Sequence, residues 1–217
     1  MAKLRIGVIG LGKFGFRFGA TLVQLGHEVV GVDSDPESVR QARHVFTQVY
    51  QAEAADKKAL EQIGFAELNH VMVSVGDSIA ASTMISMYLK EMGIPAVWVK
   101  AVNTDHEKLL RKIGVDEVII PELMAATQLA NRLAIPGFIE YLPFDQEVAL
   151  QEVAVKEWAG KSLRQINLTN RFSIQVIAVK KAGMKNFRFI PKADELLQAG
   201  DALVLIGPKD QLSDIKP

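Results

Sequence analysis

The sequence runs from an apolar stretch, Leu4 to Ile9, straight into Gly10-Leu11-Gly12-Lys13-Phe14-Gly15. Consecutive apolar residues mark a strand buried on both faces of a parallel sheet. The glycines then match G-x-G-x-x-G. Gly10 permits a tight turn, Gly12 lets a phosphate approach the backbone, and Gly15 lets a helix pack close to the strand. Apolar residues at helical spacing predict that helix over Phe14–Leu25, with Gly26 as its C′ residue. Its first turn offers free N–H groups and a positive dipole end to an anion. The glycines alone are also compatible with a bare strand-to-helix turn.

The alternation continues for about 120 residues. Strands are predicted at Glu28–Val32, around Val49, and at Val71–Val75, Ala96–Val99 and Val118–Ile120. Helices are predicted from Asp35-Pro36 onward and over Asp56–Ile63, Ser78–Met92 and Thr104–Ile113. Such alternation implies an α/β fold, a Rossmann-type doubly wound parallel sheet over residues 1–121. Residues 122–144 read as a connecting segment: a helix over Glu122–Leu133, then Pro136-Gly137 and Pro143. Short strands dominate 145–217, at Val148–Val155, Ile174–Lys180, Phe187–Ile190 and Leu203–Ile206, giving a small α+β domain. At about 70 residues it is marginal unless it pairs with another copy.

Asp33 ends the second strand, about 18 residues after Gly15. A carboxylate there accepts both hydroxyls of a ribose and repels a 2′-phosphate, which argues against an NADP-type ligand. Asp35 reads as a helix cap. Lys13 sits inside the fingerprint, where an ammonium either reaches a terminal phosphate or stays in solvent. A dinucleotide has no terminal phosphate; a nucleoside di- or triphosphate does.

Other classes are excluded. The 25 Lys and Arg balance 25 Asp and Glu, and no basic block stands out, so nucleic acid is not an expected partner. There is no cysteine, which removes disulfides and thiolate chemistry. No stretch reaches the ~18–20 apolar residues of a membrane helix, so direct membrane insertion is not expected. His27, His44, His70 and His106 read as helix-end or loop positions with polar neighbours, His106 on a helix surface. No nucleophile elbow, zinc-protease or Walker A pattern occurs. The chain therefore reads as a sensor rather than an enzyme. An NAD(H)-binding redox sensor or a small NAD-dependent dehydrogenase are the alternatives on the same fold.

Six segments together resemble a known family: Gly10–Gly15, Gly26–Asp33, Val75–Thr83, Ile94–Ala101, Lys112–Glu122 and Ala193–Gly207. They are similar, in order and over nearly the whole chain, to KtrA-type regulatory subunits of Ktr/Trk potassium-uptake systems, which carry RCK domains. The resemblance implies a cytoplasmic homo-oligomer, an octameric ring, peripheral to the membrane and docked on a membrane-embedded potassium channel subunit. It implies ATP or ADP in the Rossmann cleft, with no catalytic residue.

The resemblance also carries residues over. Gly10, Gly12, Phe14 and Gly15 fall on the phosphate turn. Lys13 falls where the family often has a γ-phosphate arginine, and an ammonium cannot copy a planar bidentate contact. Asp33 falls on the ribose acid, and Ser74, Val75 and Gly76 on the adenosine edge. Lys100 falls on a basic group near the nucleotide, though a solvated strand-end lysine fits equally. Glu122 falls on a glutamate that helps hold Mg2+, Ca2+ or Na+ at the dimer interface, though an acid in a first helical turn is favoured by the dipole anyway. The C-terminal lobe resembles one that binds cyclic di-AMP in some relatives. Thr169 stands at the position of their arginine, with Arg171 two residues on, a departure from that pattern.

Overall fold

The computed structural model describes residues 3–75, 78–134, 138–143 and 148–217. The chain divides into two compact units, Met1–Pro121 and Glu122–Pro217.

In the first unit the strands are β1 (Arg5–Ile9), β2 (Glu28–Asp33), β3 (Gln48–Gln51), β4 (His70–Val73), β5 (Ala96–Lys100) and β6 (Glu117–Ile119). They form one sheet in the order β3-β2-β1-β4-β5-β6, with every ladder parallel. Helices α1 (Lys13–Gln24), α2 (Pro36–Ala42), α3 (Lys57–Ile63), α4 (Ile79–Glu91) and α5 (Thr104–Lys112) connect them. Successive side chains of a strand point to opposite faces. Val8 accordingly joins a core with Ala20 of α1, Ala42 of α2 and Phe46, while Ile9 joins a core with Leu60, Ile85, Leu89 and Leu110 from α3, α4 and α5. Strand order reverses between β1 and β4, where a doubly wound sheet leaves its crevice.

Local chemistry sets the ends of these elements. At the close of α1 the Gly26 N–H donates to Val23 O at 2.9 Å and the His27 N–H to Leu22 O at 3.1 Å. This is a Schellman closure, and Gly26 takes the required positive φ of 90°. Asp35 caps α2, accepting the Ser38 N–H at 2.9 Å and the Ser38 hydroxyl at 2.8 Å. The Ser38 donors hold its carboxyl below the ordinary range.

His106 departs from the sequence reading. It is only 1% exposed, not on a helix surface. It shares the inward face of α5 with Leu110, one helical turn later. Its Nδ1 accepts the Val102 N–H at 3.2 Å, and burial lowers its pKa.

The second unit holds α6 (Pro121–Ala134), which starts at the dividing proline, then β7 (Phe138–Pro143), β8 (Val148–Ala154), α7 (Leu163–Ile166), α8 (Leu168–Phe172), β9 (Gln175–Lys180), β10 (Arg188–Phe189), β11 (Ala202–Pro208) and α9 (Lys209–Asp214). Its strands pair antiparallel in the order β10-β9-β11-β8-β7. Burial alternates residue by residue along β8, the pattern of a sheet with one face on a core. Residues 138–143, read from sequence as part of a connection, form the edge strand β7. Pro143 fits there because an edge strand tolerates a missing donor. Three short helices also escaped the periodicity, being too short to show it. The Ser162–Gln165 capping box was the available signal for α7.

Asp201 pins the start of β11. It is fully buried; Oδ2 accepts Lys181 Nζ at 2.8 Å and the Gln198 N–H at 2.9 Å, and Oδ1 accepts the Ala182 N–H at 3.0 Å. Burial alone would raise its pKa, but Lys181 and the two backbone donors hold it below its usual value. A depressed folded pKa contributes stability that is complete above the unfolded value of about 3.9 and is lost as pH falls through the folded one. Asp201→Asn should therefore cost about 2 kcal/mol at pH 7, since it removes the charge of a buried carboxylate that accepts from Lys181 and two backbone N–H groups. Urea unfolding of the full chain measures this, and the gap from wild type should narrow below about pH 4.

Candidate nucleotide-binding cleft

At the C-terminal ends of β1 to β4 the sheet opens into a cleft of about 350 Å³. Gly10 and Gly12 line it after β1, Asp33 and Ser34 at β2, Ala52, Glu53 and Ala54 after β3, and Ser74 and Val75 after β4. The N-terminal part of α4 adds Ser78, Ala81 and Ile85.

The three fingerprint glycines have different reasons to be glycine. Gly10 takes φ +88°, and a Cβ there would stand 2.3 Å from the Ser74 carbonyl oxygen. A Cβ on Gly15 would stand 1.9 Å from the Gly10 oxygen, so α1 seats on the turn only through a glycine. Gly12 has no such need: its φ of −65° and ψ of −169° suit any residue, and nothing among the described residues lies within 4 Å of an added Cβ. The protein's own packing leaves that space open. A phosphate approaching the peptide would use it.

Gly12 is also the N-cap of α1 and gives no side-chain cap. The helical ladder begins with the Phe16 N–H donating to Gly12 O at 2.9 Å. The N–H groups before it are left for an external acceptor, at the positive end of the helix.

Asp33 ties this turn to the next strand. Its Oδ2 accepts the Leu11 N–H at 2.6 Å and its Oδ1 the Asp35 N–H at 2.9 Å. Each carboxylate oxygen keeps a lone pair for a further donor, such as a ribose hydroxyl. Backbone bonds from the Gly10 N–H to Val32 O and from the Ser74 N–H to Ile9 O, at 2.9 and 2.7 Å, hold the neighbouring strand ends in register.

The structure brings together Gly10, Gly12, Asp33, Ser74 and Val75 of the expected set. Gly15 supports the turn from behind. Lys13 and Phe14 occupy the first two positions of α1 beside the cleft rather than in its lining; Lys13 is exposed, and Phe14 stacks on Phe18 at 6.2 Å. Lys100 ends β5, one strand beyond β4, also outside the lining. Gly76 lies outside the described residues. Glu122 sits in the first turn of α6, in the second unit. No three His, Cys, Asp or Glu side chains converge into a metal site among the described residues, at Glu122 or elsewhere.

Sequence reasoning missed Ser34, Ser38, Ala52, Glu53 and Ala54. Ser34 follows β2, Ser38 lies in α2, and Ala52 to Ala54 follow β3, which only the strand order places beside β2. Ser78, at the head of its predicted helix, was legible as a cap; its Oγ accepts the Ala81 N–H at 3.2 Å. In the second unit a separate hollow of about 320 Å³ is lined by residues including Arg164, Asn167, Thr169 and Gln175. Arg164 there is engaged by Asp194 at 2.7 Å, and Thr169 donates to Gln175 Oε1 at 3.2 Å.

Gly12→Ala tests the assignment of the open space. Stability should stay within about 0.5 kcal/mol of wild type, since the Cβ meets no atom. Affinity for a phosphate-bearing nucleotide should fall about tenfold or more, roughly 1.4 kcal/mol, by calorimetry.

Comparison with known proteins agrees with this geometry. Residues 6–121 match the TrkA-N domain model and residues 150–217 the TrkA-C domain model. The chain is 32% identical over 212 residues to Ktr system potassium uptake protein C of Bacillus subtilis (strain 168), covering 97% of this chain and 95% of that one. Ktr system potassium uptake protein A of the same organism is 32% identical over 206 residues, covering 94% and 92%. Among solved structures, the GsuK RCK domain superposes with a TM-score of 0.65 at 17% identity, over 100% of this chain and 49% of that one. The GsuK channel bound to NAD gives 0.66 at 18%, over 97% and 38%. This chain thus spans half or less of those solved chains, which share its fold. With both domain models matched in order and a third of its residues shared along nearly its whole length, the chain belongs to the TrkA/Ktr family of potassium-uptake proteins.

Proposed function

We propose that the chain is a cytosolic regulatory subunit of a potassium-uptake system, binding ATP or ADP in the first unit and passing the change to a membrane-embedded channel subunit. The observation that carries this reading is the open backbone at Gly12, at the uncapped head of α1, beside a carboxylate placed for a ribose. The family supports the potassium role, since its members include proteins named for potassium uptake.

Regulation rather than catalysis fits the lining. Of the two carboxylates in the described lining, Asp33 is engaged by the Leu11 and Asp35 N–H groups and is spent on organising the turn. No helix among the described residues is long and apolar enough to cross a membrane, so action at a membrane calls for a partner subunit. A homo-oligomer, an octameric ring by family resemblance, is supported by α6, which leaves Leu123, Met124, Leu129 and Leu133 between 53% and 88% exposed. Large exposed apolar side chains along one helix suit burial against another copy.

Lys13 selects ATP and ADP over a dinucleotide. It is exposed at the first position of α1 and makes no hydrogen bond or ion pair among the described residues, so its ammonium is available to a terminal phosphate. A ligand shifts a ring between two shapes only by its differential affinity for them. The added charge of a γ-phosphate against Lys13 supplies such a difference. A Mg2+, Ca2+ or Na+ ion at Glu122 is carried over from the family resemblance as part of the proposal.

The second reading, NAD(H) in the same cleft, is favoured by one observation: a channel of the same fold is bound to NAD. Asp33 suits the ribose of either ligand.

Lys13→Ala should lower ATP affinity about tenfold, leave ADP within about threefold and keep adenosine binding. Equal ATP-to-ADP ratios in variant and wild type would remove Lys13 from the account. Rubidium flux through the channel subunit reconstituted with this chain should differ between ATP and ADP. Equal flux would defeat the gating role.

A further inference from the structure

Helix α5 is held to the first unit by few side chains. Of its nine residues two are buried, His106 and Leu110. It covers the edge of the sheet, since β6 ends the strand order, and α4 is the helix packed beside it. An element with so few buried anchors is where a fold opens most readily. One of the two anchors is titratable. His106 Nδ1 accepts the Val102 N–H at 3.2 Å, so the neutral ring carries its proton on Nε2. Nε2 is buried and has no hydrogen-bond partner among the described residues. Ser82 Oγ, on α4, is buried without a partner as well. Accepting the Val102 N–H takes one nitrogen; the other is a buried donor that packing alone does not call for.

A second proton does not fit this seat. It would turn Nδ1 into a donor facing the Val102 N–H. The ring also stands in the first turn of α5, at the positive end of the helix. The charged groups of the surrounding elements are engaged elsewhere or carry the wrong sign. On α5 itself Asp105 pairs with Lys108 at 3.0 Å and Glu107 with Arg111 at 2.8 Å. On α4, Lys90 pairs with Asp116, ahead of β6, at 2.9 Å, and Glu91 with Lys57 at 2.6 Å. Glu117 of β6 is exposed; Lys100, which ends β5, and Lys112, which ends α5, are cations like the imidazolium.

We propose that His106 is an acid-sensitive latch, which seats α5 against α4 and the sheet while it is neutral and releases the helix when it takes up a proton. The latch is independent of the nucleotide reading above. Burial lowers the pKa of the seated ring, whereas a released ring titrates near the ordinary value of about 6.5. The seated form is therefore fully favoured above about pH 6.5 and loses ground as pH falls toward the seated ring's own value. Opening should be about tenfold more frequent at pH 5.5 than at pH 7.5.

Amide hydrogen exchange of the full chain at pH 7.5 and 5.5, corrected for the intrinsic pH dependence of exchange, reads the opening of α5. Protection over residues 104–112 should fall about tenfold at pH 5.5, while α1, which holds no histidine, keeps its own. His106→Asn retains an acceptor for the Val102 N–H and does not titrate, so protection of α5 in that variant should change by less than about twofold. Equal protection of wild-type α5 at both pH values overturns the latch. The same tenfold loss in the variant does so too, as does a loss shared by every helix of the first unit. Should His106→Asn not fold, the wild-type ring is followed by NMR. A His106 Cε1–H that titrates near its ordinary value of about 6.5 while α5 stays protected contradicts the proposal. A ring that stays neutral below that value until α5 opens supports it.

Discussion

The site depends on one carboxylate held by two backbone donors. Asp33 takes the Leu11 N–H at 2.6 Å and the Asp35 N–H at 2.9 Å, which fastens the glycine turn after β1 to the chain leaving β2. Without that bridge the turn would rest on the Gly10 N–H bond to Val32 and on the packing of Gly15 against it. The same two oxygens that organise the loop keep lone pairs toward the cleft. On the proposed reading, structural and ligand-directed roles fall on one residue, and a substitution there would blur them. Gly12 separates them better, because a Cβ added there meets no atom among the described residues.

The glycines show the same division. Gly10 and Gly15 are required by contacts measured inside the protein. Gly12 is required by none among the described residues, which is the opening the proposed function gives to a phosphate. On the proposed reading, the uncapped head of α1 is the phosphate end of the cleft. A nucleotide placed that way is held by three strand ends whose mutual register the parallel ladders fix.

Much of this was legible in the sequence. The unbroken apolar runs gave buried strands, the fingerprint gave the turn, and Asp33 fell at the end of its strand because spacing along a βαβ unit is nearly invariant. Glu53 was not legible. It belongs to the cleft only because β3 lies beside β2, a tertiary fact that leaves no periodicity at residue 53. The edge strand β7 was hidden between Pro136 and Pro143, which read as a connection. His106 was placed on a surface because histidine is usually polar-facing; its position one turn before Leu110 was the signal that it faces inward. Short helices such as α8, with Leu168–Phe172, offer too few residues for a helical period to show.

The open space at Gly12, the uncapped head of α1 and the carboxylate of Asp33 direct attention to binding. The central claim is that an adenine nucleotide with a terminal phosphate occupies the cleft. The most direct measurement is calorimetric titration of the nucleotide-stripped chain with ATP, ADP and NADH, with light scattering to size the particle. Saturable one-to-one ATP and ADP binding, at least tenfold tighter than NADH and on a multi-subunit particle, is the predicted result. NADH binding tighter than both, or a chain that binds none of the three, would contradict it.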